Sequence, residues 1–182
     1  FGKAGGLNQR STEAFYYKGL SLEKINRSEG AIHVFEVLLE IDPNNGDAHY
    51  HKALALAKLG DHRDAISSFD RTIGLLPAFA PAQYNKGKSL IINGKYPEAI
   101  DAFRRALELE PSYTEVYYSL GFALLKTGKY SESIEAFDKN LSKDTGNAQA
   151  HFNRGIAFAK LGKYEEALES LDKSLIHDPE NA

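Results

Sequence analysis

The chain has 182 residues, 42% of them hydrophobic and 26% charged, which is too apolar for a disordered chain and too evenly charged for a membrane protein. It has no cysteine, so disulfide frameworks, thiolate nucleophiles, iron–sulfur clusters and cysteine-containing zinc sites are excluded together. Twenty-two basic and 25 acidic residues leave a net charge of −3 with no dense basic run, so nothing favours nucleic acid or anionic lipid, and a protein partner is expected instead. No apolar stretch approaches the roughly 18 residues needed to span a bilayer, and no signal segment opens the chain, so neither membrane attachment nor export is expected and the address is cytoplasmic. A chain that opens Phe1-Gly2-Lys3 and holds no methionine reads as a segment excised from a longer product.

One pattern returns every 34 residues. Gly60, Gly94, Gly128 and Gly162 are 34 apart, and Pro43, Pro77, Pro111 and Pro179 lie on the same lattice with Thr145 in the missing proline position. Residues 1–11 come first; extended backward, the lattice sets Phe1, Ala4 and Leu7 on apolar positions, so this stretch is either a glycine-rich leader or the end of a preceding repeat. Five repeats follow, 12–45, 46–79, 80–113, 114–147 and 148–181, forming one continuous array.

Each repeat holds two amphipathic stretches, with apolar residues three, four and seven apart, separated by a short turn, which predicts two helices and no sheet. In the fourth, Tyr117, Leu120, Leu124 and Leu125 line the first helix, Gly128 ends it, and Ile134, Phe137 and Leu141 line the second. Pro81 and Pro97 fall near helix starts, where a missing N–H costs little. Ser133, Asn140 and Thr145 make the fourth repeat more polar than its neighbours.

Positions within a repeat are numbered 1 to 34. Position 8 holds Gly19, Ala53, Gly87, Gly121 and Gly155, position 20 alanine or Ser133, and position 24 Phe35, Phe69, Phe103, Phe137 and Leu171. Small residues let two helices approach, and the large one fills the gap before the next pair, so stacking of repeats supplies the core. With position 4 aromatic or histidine in all but the third repeat, where Gln83 stands, and proline at position 32, this pattern resembles the tetratricopeptide repeat. The resemblance implies an all-α, right-handed superhelical solenoid of antiparallel helix pairs. It also implies a concave groove, lined by the first helices, that binds a peptide or helix of a partner protein without catalysis or cofactor.

Carrying the groove positions over gives an aromatic series at position 5, Tyr16, Tyr50, Tyr84, Tyr118 and Phe152. Position 6 contributes His51, Asn85, Ser119 and Asn153, and position 9 contributes Leu20, Leu54, Lys88, Phe122 and Ile156. Lys58 and Lys126 stand at position 13. The carboxylate clamp of some arrays needs lysine at position 5 and asparagine at position 9, and neither occurs here. Alternatives to the peptide groove are a self-associating array that stacks end to end through uncapped terminal repeats, and the targeting segment of a larger enzyme.

The string Ala82-Gln83-Tyr84-Asn85-Lys86-Gly87-Lys88-Ser89 imitates a phosphate-binding loop, but that chemistry needs free N–H groups in a loop, and here the string falls inside a helix. His49 and His51 are two apart on a helix, point away from each other, and cannot share a metal ion. His49 and His151 take the packing position 4, while His33, His62 and His177 read as surface residues. No catalytic site, metal site or cofactor is expected.

Overall fold

The computed structural model describes residues 2–178, with side chains from residue 10 onward. Among these it contains ten α-helices and no strand: α1 Gly2–Lys24, α2 Ser28–Ile41, α3 Gly46–Leu59, α4 His62–Leu75, α5 Ala80–Ile92, α6 Tyr96–Leu109, α7 Thr114–Lys126, α8 Tyr130–Leu141, α9 Ala148–Lys160 and α10 Tyr164–His177. They fall into two compact units, one ending at Asn93 and the other beginning at Gly94. In the first, α1 packs on α2, α2 on α3, α3 on α4 and α4 on α5; in the second, α6 to α10 pack in the same successive way.

The punctuation follows from backbone chemistry. Gly60, Gly94, Gly128 and Gly162 all have φ between 71° and 91°, the left-handed region that a residue without Cβ enters at little cost. Asn26 takes that role after α1 with φ 60°, the residue type besides glycine that best tolerates it. Pro81 and Pro97 sit in the first turn of α5 and α6, as the sequence predicts. Asn45 and Asn147 cap α3 and α9, each side-chain oxygen accepting from a backbone N–H at 3.0 Å, Ala48 and Ala150 respectively.

Residues 2–11 belong to the first helix, α1, which runs without a break from Gly2 to Lys24. The span Asn8-Gln9-Arg10-Ser11-Thr12 has neither glycine nor proline to stop a helix, and the three glycines at 2, 5 and 6 do not interrupt it. Phe1 and the side chains of Ala4 and Leu7 lie outside the described residues.

The core repeats as the pattern requires. Phe35, Phe69, Phe103 and Phe137 are each fully buried, a contribution of about 1.5–3 kcal/mol per ring. The fit against position 8 is close: a Cβ added to Gly121 would stand 2.8 Å from the Phe137 ring, and one added to Gly155 would stand 2.8 Å from Leu171. Two of the polar residues of the fourth repeat, Ser133 and Asn140, are buried and bonded, whereas Thr145 is exposed. The Ser133 hydroxyl donates to the Gly121 carbonyl at 2.8 Å, and the Asn140 amide donates to the Thr114 carbonyl at 3.4 Å.

Candidate functional site

In the first unit, Tyr50 on α3 stands edge-on to Phe79, with ring centroids 4.9 Å apart, and tilted over the buried Phe69 at 6.0 Å. Its phenol oxygen accepts from the side-chain amide of Asn85 on α5 at 3.1 Å, and the same amide donates to the Pro81 carbonyl at 2.9 Å. Burial pushes the Tyr50 phenol above the ordinary 10.0, with the Asn85 hydrogen bond opposing the shift. Tyr16 on α1 meets the His51 ring edge-on at 5.7 Å, and burial, followed by the negative charges of Asp47 and Glu23, raises its phenol as well. The Nδ1 atom of His51 lies 2.9 Å from the Glu23 carboxylate, and its ring stacks on Phe35. Tyr84 carries the Lys88 ammonium 5.3 Å above its ring.

The second unit repeats part of this arrangement. Tyr118 on α7 lies tilted against Phe137 at 6.0 Å, and its phenol accepts from Asn153 on α9 at 3.3 Å. Asn153 is only 6% exposed and Ser119 only 9%, so these two stiffen the wall, whereas Phe152, at 41%, faces solvent. The Ser119 hydroxyl donates back to the Glu115 carbonyl at 3.4 Å. Lys126 sits 5.2 Å over the Phe122 ring, and Ile156, on α9, is half-buried.

Between the first helices of the first unit lie two clefts. One, of about 480 Å³, is lined by Leu20, Glu23, Lys24, Ser28, His51, Leu54, Ala55 and Lys58. The other, of about 300 Å³, shares Leu54 and Lys58 and adds Ala57, His62, Phe69, Asn85, Lys88, Ser89 and Ile92. Sequence reasoning placed the shared residues, Asn85 and Lys88 in the groove. It missed His62 and Ser89, whose side chains approach to 3.4 Å, because they come from different repeats and lie outside the usual groove positions.

Sequence reasoning also missed ion pairs with a readable signal. Lys52–Glu36 at 2.9 Å, Lys86–Asp70 at 2.6 Å and Arg154–Asp138 at 2.5 Å each join residues 16 apart, from a first helix back to the preceding second helix. The histidines at position 4 do more than pack. His49 and His151 meet the Pro43 and Thr145 carbonyls through Nε2 at 3.1 and 3.0 Å, as the Tyr117 hydroxyl meets Pro111 at 3.3 Å. Among the described residues no cluster of three or more metal-binding side chains occurs, and no helix is long and apolar enough to cross a membrane. The string from Ala82 to Ser89 lies within α5, where its N–H groups serve the helix.

The periodic helix pairs have counterparts among known proteins. Family models match three stretches: TPR repeat at residues 87–128, tetratricopeptide repeat at 148–181, and anaphase-promoting complex, cyclosome, subunit 3 at 26–106. A solved structure of MamA protein is 27% identical with a TM-score of 0.88, over 95% of this chain and 94% of its own. This chain is a tetratricopeptide-repeat protein. Another repeat protein of this kind, YrrB, described as having an unusual peptide-binding site, is 25% identical with a TM-score of 0.85, over 91% of this chain and 86% of that one. MamA from Desulfovibrio magneticus RS-1 shares the fold at 22% identity and a TM-score of 0.87, over 93% of this chain and 96% of its own. No curated protein matches this tetratricopeptide-repeat chain in sequence.

Proposed function

We propose that the aromatic, cleft-bearing face of the first helices binds a peptide or helix from a partner protein, and that binding, without catalysis, is the activity of this chain. The observation that carries the reading is the pair of adjoining clefts of about 480 and 300 Å³, which share Leu54 and Lys58, with Leu20 lining the larger, on the helices that carry the half-buried Tyr16, Tyr50 and Tyr84. Tyrosine offers large contact area with few rotatable bonds, which suits a recognition surface. The likeness to YrrB supports a peptide as ligand. The experiment is a peptide panel measured against the native chain and against Tyr84→Ala/Tyr118→Ala. The double change is expected to weaken a bound peptide by about 2 kcal/mol or more with helical content unchanged. Loss of binding on changing Glu135 and Lys139, with the tyrosine variant unaffected, overturns the reading in favour of the opposite face.

A second reading, self-association, is favoured by α10. Leu168 and Leu175 are 57% and 45% exposed there, whereas Ile134 and Leu141, at the same positions of α8, are 9% and 6% exposed beneath α9. Light scattering across a concentration series tests it, and a monodisperse monomer throughout rejects it.

A further inference from the structure

We propose that the cleft between α3 and α5 selects an acidic internal segment of a partner, one apolar side chain entering the cleft while Asp or Glu carboxylates meet Lys58 and Lys88. The inference rests on the groove reading above and specifies its ligand.

The walls of this cleft divide by chemistry. Leu54, Ala57, Phe69 and Ile92 make an apolar floor and lip, with Ile92 62% exposed, and a volume of about 300 Å³ takes one large side chain. Lys58, His62 and Lys88 supply the ionisable groups, and no carboxylate lines the cleft. That sign runs against the molecule as a whole, whose net charge is −3.

The lysines of these two helices are treated differently according to where they point. Lys52 on α3 and Lys86 on α5 are neutralised by Glu36 and Asp70, at 2.9 and 2.6 Å. Lys58 and Lys88, on the same helices, have neutral partners. Lys58 donates to the side-chain oxygen of Asn26, and Lys88 lies over the Tyr84 ring at 5.3 Å. Both ammonium groups therefore keep an uncompensated charge beside apolar surface, where a carboxylate is attracted more strongly than in open water.

The neighbouring cleft decides between an internal segment and a chain terminus. It shares Leu54 and Lys58 and adds Lys24, while its one carboxylate, Glu23, is held by His51 at 2.9 Å. Positive charge thus recurs from α1 through α3 to α5. Several cations on successive helices fit several acids along an extended segment, whereas a single terminal carboxylate would meet one of them.

Fluorescence anisotropy with four labelled dodecapeptides tests this. The first alternates Leu with Asp and Glu and has both ends blocked; the second replaces its acids by Lys; the third replaces its Leu by Ser; the fourth is neutral and apolar with a free terminal carboxylate. The first is expected to bind at least about tenfold more tightly than the rest and to weaken as salt is raised. Lys58→Glu/Lys88→Glu is expected to cut that affinity at least about tenfold and to improve binding of the Lys peptide, and Ile92→Asp to weaken it at unchanged helical content. Lys129→Glu/Lys163→Glu, the same change of charge at exposed turns, is expected to leave it alone. The inference is overturned if the Lys, Ser or free-carboxylate peptide binds as well as the first, or if reversing Lys58 and Lys88 changes nothing. If one of those other peptides binds and Tyr84→Ala/Tyr118→Ala abolishes it, the groove reading stands and only the acidic ligand falls. If none of the four binds, both fall.

Discussion

The side-chain amide of Asn85 donates to the phenol oxygen of Tyr50 across 3.1 Å, from one first helix back to the one before it. Asn153 and Tyr118 repeat the contact at 3.3 Å in the second unit, with the same separation of 35 residues. Within each unit an aromatic and an amide position of the proposed binding face are thus coupled. The cost of removing the phenol should depend on what else the amide has. Asn153 is buried with no other side-chain partner on its amide nitrogen, so Tyr118→Phe should cost about 1–2 kcal/mol. Asn85 keeps the Pro81 carbonyl, so Tyr50→Phe should cost less than about 1 kcal/mol. Urea unfolding of the two variants checks the order, and equal costs would show that the hydrogen bonds do not set it.

Phe137 fills the space that Gly121 leaves, and position 24 of the last repeat shows what else that space accepts. There Leu171 lies 2.8 Å from where a Cβ on Gly155 would be. Phe137→Ala should cost about 3–5 kcal/mol through the cavity it opens, and Phe137→Leu about 1.5 kcal/mol or less because leucine already serves the same geometry. Thermal unfolding separates the two outcomes; similar losses for both would mean that the ring itself, beyond its volume, is required.

The sequence made the helix pairs and their core legible because both depend on spacing within one repeat. The four phenylalanines at position 24 and the four left-handed glycines could be read from the 34-residue lattice alone. Contacts between side chains of successive repeats were less legible, since they depend on how one helix registers on the next. Tyr50–Asn85 was visible only as two separate candidates, and His62–Ser89 was not visible at all. The ion pairs 16 apart were readable, because a basic position 7 faces an acidic position 25 in three places.

Asn140 is an amide where Leu38, Thr72, Ala106 and Ser174 stand in the other repeats, and it contacts a helix cap. Its side-chain oxygen accepts from the Asn147 amide at 3.1 Å, which leaves the Asn147 oxygen facing the Ala150 N–H at 3.0 Å. Asn140→Ala and Asn147→Ala should each cost about 1–2 kcal/mol, and the double variant distinctly less than their sum, because the second change removes a cap the first has already loosened. A double-mutant cycle by denaturant unfolding measures this. Strict additivity would sink the relay and leave two independent residues.

His151 and His49 should make stability fall on mild acidification. Each meets a backbone carbonyl through Nε2, which therefore carries the proton in the neutral ring, and for His151 this leaves Nδ1 facing the Arg154 guanidinium at 3.5 Å. Burial lowers both residues below the ordinary 6.5; the carbonyl hydrogen bond opposes this, while Arg154, His177 and Lys173 add to it at His151, and Arg71 and Lys52 at His49. A histidine depressed in the folded state takes its proton first in the unfolded state. The stability it contributes is therefore complete above 6.5 and is lost as the pH falls below that value toward the lower, folded one. Tyrosine offers a matched control, since Tyr117 already makes the equivalent bond to the Pro111 carbonyl without an imidazole. Unfolding free energy measured between about pH 7.5 and 5.5 should fall in the native chain and fall less in His49→Tyr/His151→Tyr. An identical slope in the two proteins would place the acid sensitivity in other groups.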